Sequence, residues 1–432
     1  MSFNVIVTII MMITIVALIV TNASHPGIIL AGVPLVAALV MGFSVAEIQT
    51  FVNAGVGMIC STLCLMIFAI MFFGILHEAG VFVWLVNKIL GILKNSVLGV
   101  MLATCVITIL TQLDGSGSTT ALCTIPPLKP VYEKMHIRRQ ALLFLECLGS
   151  GTFICLPWAP AINEGSAYLG VQAYDVFQCI IPLAIFATIL YFLLTIPLSI
   201  IEKRHGAGMT EEEYAELKEE LKKPVDLPYG KFPAVFGAIL TLVIMILLLT
   251  GVLPSSVTFI MGYIVLMIVT FRKTKVMGEY IKKQAPMVLN LTMTMLGVSV
   301  LVGIINGTGA MAEFADVVAA SSGSIARHLP FICAMFSLPL SFLTGNAKMS
   351  VVIPAVAAIA APFGYAPEMV FGAILMCGAA GAGVNPFSGS SYLGLNLAGL
   401  EMSEHLKYSL IPLFLVGVAD ALFLGITGLL PF

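Results

Sequence analysis

Leu113-Asp114-Gly115-Ser116-Gly117-Ser118-Thr119 is a polar, glycine-rich break inside an otherwise apolar stretch. A second break, Leu343-Thr344-Gly345-Asn346-Ala347-Lys348-Met349, follows at an offset of 343 − 113 = 230. A bilayer tolerates non-helical backbone only where protein buries it or where it lines a wet cavity. Asp114 and Lys348 are ionisable groups at such places, so each is a functional-site candidate. Paired broken segments in the two halves of a chain are the pattern expected around a secondary transporter's binding site.

Composition sets the surroundings of these breaks. Of 432 residues, 59% are hydrophobic and 10% are charged, against roughly a quarter charged in soluble domains. The chain reads as an all-α polytopic membrane protein. A β-barrel would show alternating strands of about 10 residues, and the apolar runs here are unbroken. The net charge of −2 says nothing about partners, and no basic patch points to nucleic acid. The first Lys or Arg is Lys88. The basic start of a cleavable signal is therefore missing, and 3–22 reads as an uncleaved first spanning helix. The nine cysteines all lie in apolar stretches, with no CxxC pair. They read as small buried hydrophobes rather than metal ligands or disulfides.

Apolar runs long enough to span, about 20 residues each, are expected at 3–22, 26–42, 55–76, 177–201, 233–252, 255–271, 286–305 and 409–429. Between them, 96–176 and 329–402 hold shorter apolar pieces cut by Gly, Pro and polar residues. The polar stretch 202–231 contains Thr210-Glu211-Glu212-Glu213, a capping-box pattern. It predicts a short surface helix ended by Pro224 and Pro228, in a linker between two membrane halves. Sequence features recur in register: 309 − 80 = 229 for Gly80 and Gly309, 386 − 157 = 229 for Pro157-Trp158 and Pro386-Phe387, and 399 − 170 = 229 for Gly170 and Gly399. A duplication follows, with a first repeat over 1–201, a linker over 202–231 and a second repeat over 232–432.

Basic residues cluster at 88–94, 129–139, 203–231 and 272–283, while 43–54, 157–176 and 361–367 carry none. Placing the basic loops in the cytoplasm makes 96–128 a re-entrant hairpin with Asp114–Thr119 at its tip. The stretch 329–361 becomes a second hairpin, entering from outside, with Thr344–Met349 at its tip. The two halves are then inverted, and both termini face the exterior.

Hairpin tips present helix N-termini, whose free N–H groups and partial positive charge suit a carboxylate. Ser116, Ser118, Thr119 and Thr120 add hydroxyls there. Asp114 either ligates a cation or carries a proton, or simply caps the second arm. Lys348 either meets substrate charge, takes the place of a cation, or snorkels to an interface. Pro157–Ser166 and Asn385–Ser391 cannot be continuous helix, and from them Asn163, Asn385, Ser388 and Ser390 are chosen as ligands. Glu164 is a proton carrier or an exterior surface residue. Glu146 is a buried partner or proton site, or lies at the cytoplasmic interface. The segments 80–93 and 309–320 read as amphipathic arms. The six histidines are scattered, and no hydrolase, zinc-protease or nucleotide-binding pattern is placed to work.

Leu113–Thr120, followed by an apolar arm and Tyr132-Glu133-Lys134, resembles the first signature of the citrate–metal symporter family, within the superfamily that includes the divalent anion/sodium symporters. Ser388–Leu400 resembles that family's C-terminal signature. The resemblance implies an inverted-repeat homodimer in the inner or plasma membrane, with a scaffold and a transport domain that moves as an elevator. It implies substrate and cation at the two tips. With the reading above, substrate falls to Ser116, Gly117, Ser118, Thr119, Asn346, Lys348, Ser388, Gly389 and Ser390. The coupling ion, H+ or Na+, falls to Asp114, Asn163, Glu164, Thr344 and Asn385, and a divalent cation travels with the substrate in that family. Where the family has Asn-Asp at the second tip, this chain has Gly345-Asn346-Ala347-Lys348. An acid lost and a lysine gained favour a free di- or tricarboxylate, with proton coupling or exchange, over a metal complex. The competing readings are a sodium/proton or arsenite-type carrier, a channel, and an intramembrane enzyme, which would need a nucleophile–base pair or metal cluster.

Overall fold

The computed structural model describes residues 3–430 apart from 22, 93, 222–226, 251, 310–325, 345–347 and 386–387. Among them there is no strand. The chain opens with α1 (Phe3–Val20), α2 (Pro26–Val40), α3 (Val45–Glu78) and α4 (Val81–Gly91). A hairpin follows, built from α5 (Val97–Thr111), a 3-10 turn at Gln112–Asp114 and α6 (Gly117–Lys134). Then come α7 (Arg139–Thr152), α8 (Pro160–Leu169), α9 (Ala173–Arg204) and the linker helix α10 (Glu211–Leu221). The second half runs through α11 (Lys231–Thr250), α12 (Ser255–Phe271), α13 (Thr274–Thr308), α14 (326–335) and α15 (Ser337–Thr344). A π-helical turn at Lys348–Val352 leads into α16 (Ile353–Ala360), then α17 (Pro367–Ala379), a 3-10 turn at Ala380–Val384, α18 (Gly389–Ala398) and α19 (Met402–Thr427).

Six described segments are long and apolar enough to cross a bilayer: Val45–Glu78, Val97–Asp114, Ala173–Arg204, Lys231–Leu248, Thr274–Thr308 and Met402–Thr427. Their hydroxyls fold back on the helix. Thr104, Thr108 and Thr111 donate to the carbonyls four residues earlier, which satisfies them without water. The expected spans 55–76, 286–305 and 409–429 prove to be the apolar cores of the longer helices α3, α13 and α19. The added turns are polar, as in Thr274–Lys283 with its lysines, so hydropathy alone stops short of them.

Both ends of the first hairpin meet the linker. Asn95, just before α5, donates to the Met209 carbonyl at 3.2 Å, and Gly208 N–H donates to the Met135 carbonyl, just after α6, at 2.8 Å. The hairpin therefore enters and leaves at one end of the molecule. In the linker the capping box forms as read: Thr210 N–H donates to Glu213 at 2.8 Å and Glu213 N–H donates to Thr210 Oγ1 at 3.3 Å. The Thr210 backbone bond, then its hydroxyl, hold the exposed Glu213 carboxyl below its usual range.

Element starts recur at a nearly constant spacing: 255 − 26 = 229 for α2 and α12, 274 − 45 = 229 for α3 and α13, 389 − 160 = 229 for α8 and α18, 402 − 173 = 229 for α9 and α19. Gly170 and Gly399 close α8 and α18 with φ of +67° and +71°, the left-handed cap that glycine adopts without strain.

Packing sorts the helices into two groups. In one, α13 lies against α2 and α3, and α3 against α12. The backbones there nearly touch: a Cβ on Gly55 would stand 2.0 Å from the Ser299 carbonyl oxygen, and one on Gly303 would stand 2.2 Å from that of Phe51. Small residues allow such close approach in membranes, where van der Waals contact drives association. The other group is α5 to α9 with α14 to α19, and α8 bridges to α3 and α13. At the linker end, buried Glu202 of α9 accepts from Arg138 Nη2 at 2.6 Å and from Tyr408 of α19 at 3.0 Å. Outward, Ile185, Ile189, Leu193, Ile196 and Ile200 form an exposed apolar stripe along α9, as a lipid-facing helix requires.

Candidate functional site

The first tip is a folded polar turn. Asp114 Oδ1 accepts from the Ser116 N–H at 2.8 Å. Ser116, not Asp114, caps α6, its Oγ accepting from Thr119 N–H at 3.4 Å. Gly115 has φ +73°, and a Cβ there would stand 2.5 Å from that of Ala159. Trp158 Nε1 donates to the Leu113 carbonyl at 2.6 Å. The tip is thus pinned to the break between α7 and α8.

Asn163 stitches that break, donating through Nδ2 to the carbonyls of Pro157 and Ala159 at 3.1 and 2.8 Å. Its Oδ1 is fully buried and has no hydrogen-bond partner among the described residues; one turn on, Ser166 Oγ is in the same state. Orphaned buried oxygens are rare, and a cation is one thing that satisfies them. Glu164 points elsewhere: half-buried, it accepts from Tyr168 at 3.3 Å, and Tyr168 packs among residues of α1, α2, α3 and α13.

On its other side the tip faces the second half. A Cβ on Gly117 would lie 3.6 Å from Ser390, and Lys129 further along α6 donates to the Leu397 carbonyl near the end of α18 at 3.2 Å. So α6 and α18 run parallel, with their N-termini side by side. Ser388 stands just before α18 without a side-chain bond to the helix's free N–H groups, its Oγ lying 2.8 Å from that of Ser390. A cavity of about 70 Å³ opens here, lined by Gln112, Gly117, Glu146, Ser150, Gly383 and Ser390 among others. It is far below the roughly 300–1,000 Å³ of an occupied ligand pocket, so the tip and break must part to admit a molecule of drug size. Gln112 Oε1 accepts from Thr120, which leaves its buried Nε2 without a partner among the described residues.

Lys348 lies apart from this cavity. Buried at 7% exposure, its Nζ donates to Ser341 and Ser337 of its own hairpin at 2.7 and 3.2 Å, and a Cβ on Gly378 of α17 would stand 2.8 Å from it. This ammonium is held inside the protein, so it is not a snorkelling side chain. Thr344 ends α15, and Gly389 opens α18. Asn346 lies outside the described residues, and Asn385 follows the Ala380–Val384 turn. The structure therefore brings Gly117 together with Ser390, and Asp114 with Ser116 and Thr119. It keeps Glu164 and Lys348 at a distance from that cavity. Gln112 and Ser166 were not singled out from sequence, and Glu146 proves to be a buried residue of the cavity. The polar Gln112 at the end of an apolar arm was the available signal. Among the described residues no three His, Cys, Asp or Glu side chains gather as a metal would require.

Comparison with known proteins places this geometry. A citrate transporter of Bacillus subtilis (strain 168) is 29% identical over 403 residues, 93% of each chain. The Mg(2+)/citrate complex secondary transporter of the same strain is 27% identical over 428 residues, 96% of this chain and 97% of that one. The crystal structure of the YdaH transporter of Alcanivorax borkumensis aligns with a TM-score of 0.62 over 93% of this chain and 98% of that one, at 14% identity, a likeness of fold. The Na+/H+ antiporter family matches residues 227–429. The citrate transporter family matches residues 4–282, well over half of the sequence, and the chain belongs to that family: it is a multi-pass membrane transporter and not an enzyme.

Proposed function

We propose that the protein is a secondary active transporter of a citrate-like di- or tricarboxylate across the cell membrane. The observation that carries this reading is the meeting of two parallel helix N-termini, at Gly117 and Ser390, around a buried cavity that also holds the Gln112 amide. Each terminus offers free N–H groups and about half a positive charge, which is what an anion needs where no arginine is at hand. Ser116, Ser118, Thr119, Ser388 and Ser390 ring these termini with hydroxyls, and Gly117 and Gly389 let backbone approach. Asn346 joins the substrate site from the second tip, while the Lys348 ammonium, held apart from the cavity by Ser337 and Ser341, stands in for a coupling cation. The coupling ion, H+ or Na+, sits between Asp114 and Asn163 Oδ1, with Glu164, Thr344 and Asn385 along its path. The relative named for a magnesium–citrate complex admits a divalent cation as co-cargo; the lysine at the second tip favours the free anion.

The constant spacing of elements supports a duplication, and the return of the hairpin to the linker end supports halves of opposite orientation. In this reading α5 to α9 and α14 to α19 slide as an elevator against a scaffold of α1 to α3 and α11 to α13, with α8 at the sliding face. Two such scaffolds associate as a homodimer, with basic loops in the cytoplasm and both termini outside. A sodium/proton exchanger is the second reading, favoured by the antiporter-family match over residues 227–429.

Purified protein in liposomes, offered a panel of carboxylates under separate sodium and pH gradients, decides between them. We expect citrate or a close analogue to accumulate against its gradient, and to do so with divalent cations chelated. Sodium/proton exchange without uptake of any carboxylate would replace the first reading by the second.

A further inference from the structure

Glu146 is 4% exposed and lines the cavity between Gly117 and Ser390. Among the described residues its carboxyl takes one hydrogen bond, from the Cys147 thiol to Oε2 at 3.5 Å. Among the described residues no cation stands against it: the salt bridges found there, such as Arg138–Glu202 and Lys283–Glu78, lie at other places. Among the described residues, the titratable groups in the core around α7 are Cys147 on α7 itself, Cys105 on α5, Tyr132 on α6, Tyr191 on α9 and Tyr408 on α19, with His405 of α19 against Cys147; Tyr408 also reaches Glu202, whose charge Arg138 meets. The first tip, the Ala380–Val384 turn and α18 contribute only amide and hydroxyl groups to the cavity. His405 is fully buried, 3.7 Å from the Cys147 sulfur through Nε2 and 3.1 Å from Ser409 Oγ through Nδ1. It sits one turn inside the start of α19, whose first residues are exposed.

These positions raise a problem of charge. The cavity presents two positive helix ends and an unpartnered amide donor, a place for an anion. It also presents a carboxyl. Two like charges sharing a dry site repel by several kcal/mol, so an ionised Glu146 and a bound carboxylate exclude one another. Resting on the carboxylate reading above, we infer that Glu146 is a proton-binding site of the transport cycle. It holds a proton whenever the substrate anion occupies the cavity and gives it up when the anion leaves. The step forms one O–H bond, at Oε1 or Oε2, with a proton drawn from bulk water. On release that bond breaks, and the proton passes to water through the opened cavity or across the Cys147 thiol and His405. No electron moves and no other bond changes. Each turnover then carries one proton with one anion, independent of whatever binds at Asp114. The short chain Glu146, Cys147, His405 gives this proton a route on the side of the first hairpin's entry.

The test is a proton count. Detergent-purified protein in weak buffer, at a pH where citrate is fully ionised, is titrated with citrate while pH is recorded and binding is followed by calorimetry. We expect wild type to take up at least one proton per anion bound, and Glu146→Gln to take up about one fewer. Citrate affinity should weaken as pH rises in wild type and do so about tenfold less per pH unit in E146Q, a change that a merely structural role would not produce. Citrate binding by wild type without proton uptake would overturn the inference, whether or not E146Q folds. Unchanged proton uptake in a folded E146Q would overturn it as well. Failure of wild type to bind any carboxylate would instead remove the substrate reading on which it rests.

Discussion

Replacing Asp114 by asparagine is expected to cut gradient-driven uptake by about 100-fold or more while leaving the protein folded. The carboxylate lies at the first tip, taking a hydrogen bond from Ser116 N–H. Asparagine keeps the shape and one acceptor, so the turn survives. What goes is the negative charge that, in the proposed reading, a coupling cation meets beside the buried Asn163 Oδ1. Loss of one partner of a desolvated charge pair costs about 2–5 kcal/mol, and each 1.4 kcal/mol is a factor of about ten. Uptake under imposed sodium and pH gradients in liposomes checks it. Wild-type rate with unchanged ion dependence would remove Asp114 from the coupling machinery.

Gly303→Val is expected to have the largest effect on folding. A Cβ there would stand 2.2 Å from the Phe51 carbonyl oxygen and 2.9 Å from its carbon. Both are main-chain atoms of α3, so no side chain can turn aside. Overpacking a core costs about 1–3 kcal/mol and occasionally more; with backbone on both sides we expect about 3 kcal/mol or above, read as little folded protein or a lowered unfolding temperature in detergent. Gly57, on the same α3, has nothing within 4 Å of where its Cβ would stand, and Gly57→Val should behave as wild type. Equal behaviour of the two variants would contradict backbone contact between α3 and α13.

The contrast with what the sequence discloses is instructive residue by residue. Leu113–Thr119 is legible because glycines and hydroxyls interrupt apolar helix, and the chain turns there. The ends of α13 were less legible, since Lys275, Lys282 and Lys283 continue the helix beyond its apolar core. Gln112 shows in the sequence only as a polar residue at the end of an apolar arm; that Thr120 occupies its Oε1 and frees the amide is recorded by no pattern along the chain. Glu146 sits in an apolar run that fits a cavity wall and a membrane interface equally well; only the approach of the Ala380–Val384 turn to α7 tells them apart. The direction of Lys348 is not legible in the sequence, because Ser337 and Ser341 hold its ammonium back against its own hairpin. Ser390, chosen from the Asn385–Ser391 stretch, meets Gly117 because α18 runs beside α6.

The central claim is that a carboxylate anion seats between the first tip and the start of α18. Its most direct test is the rate at which Ser390→Cys, in a background with the nine native cysteines replaced, reacts with a small water-borne thiol reagent. Labelling that is measurable without substrate and slowed about tenfold or more by saturating citrate, but not by an unrelated anion, is the result this structure predicts from occupied-site protection. Labelling at the same rate with and without citrate, in protein that still transports it, would place the substrate elsewhere.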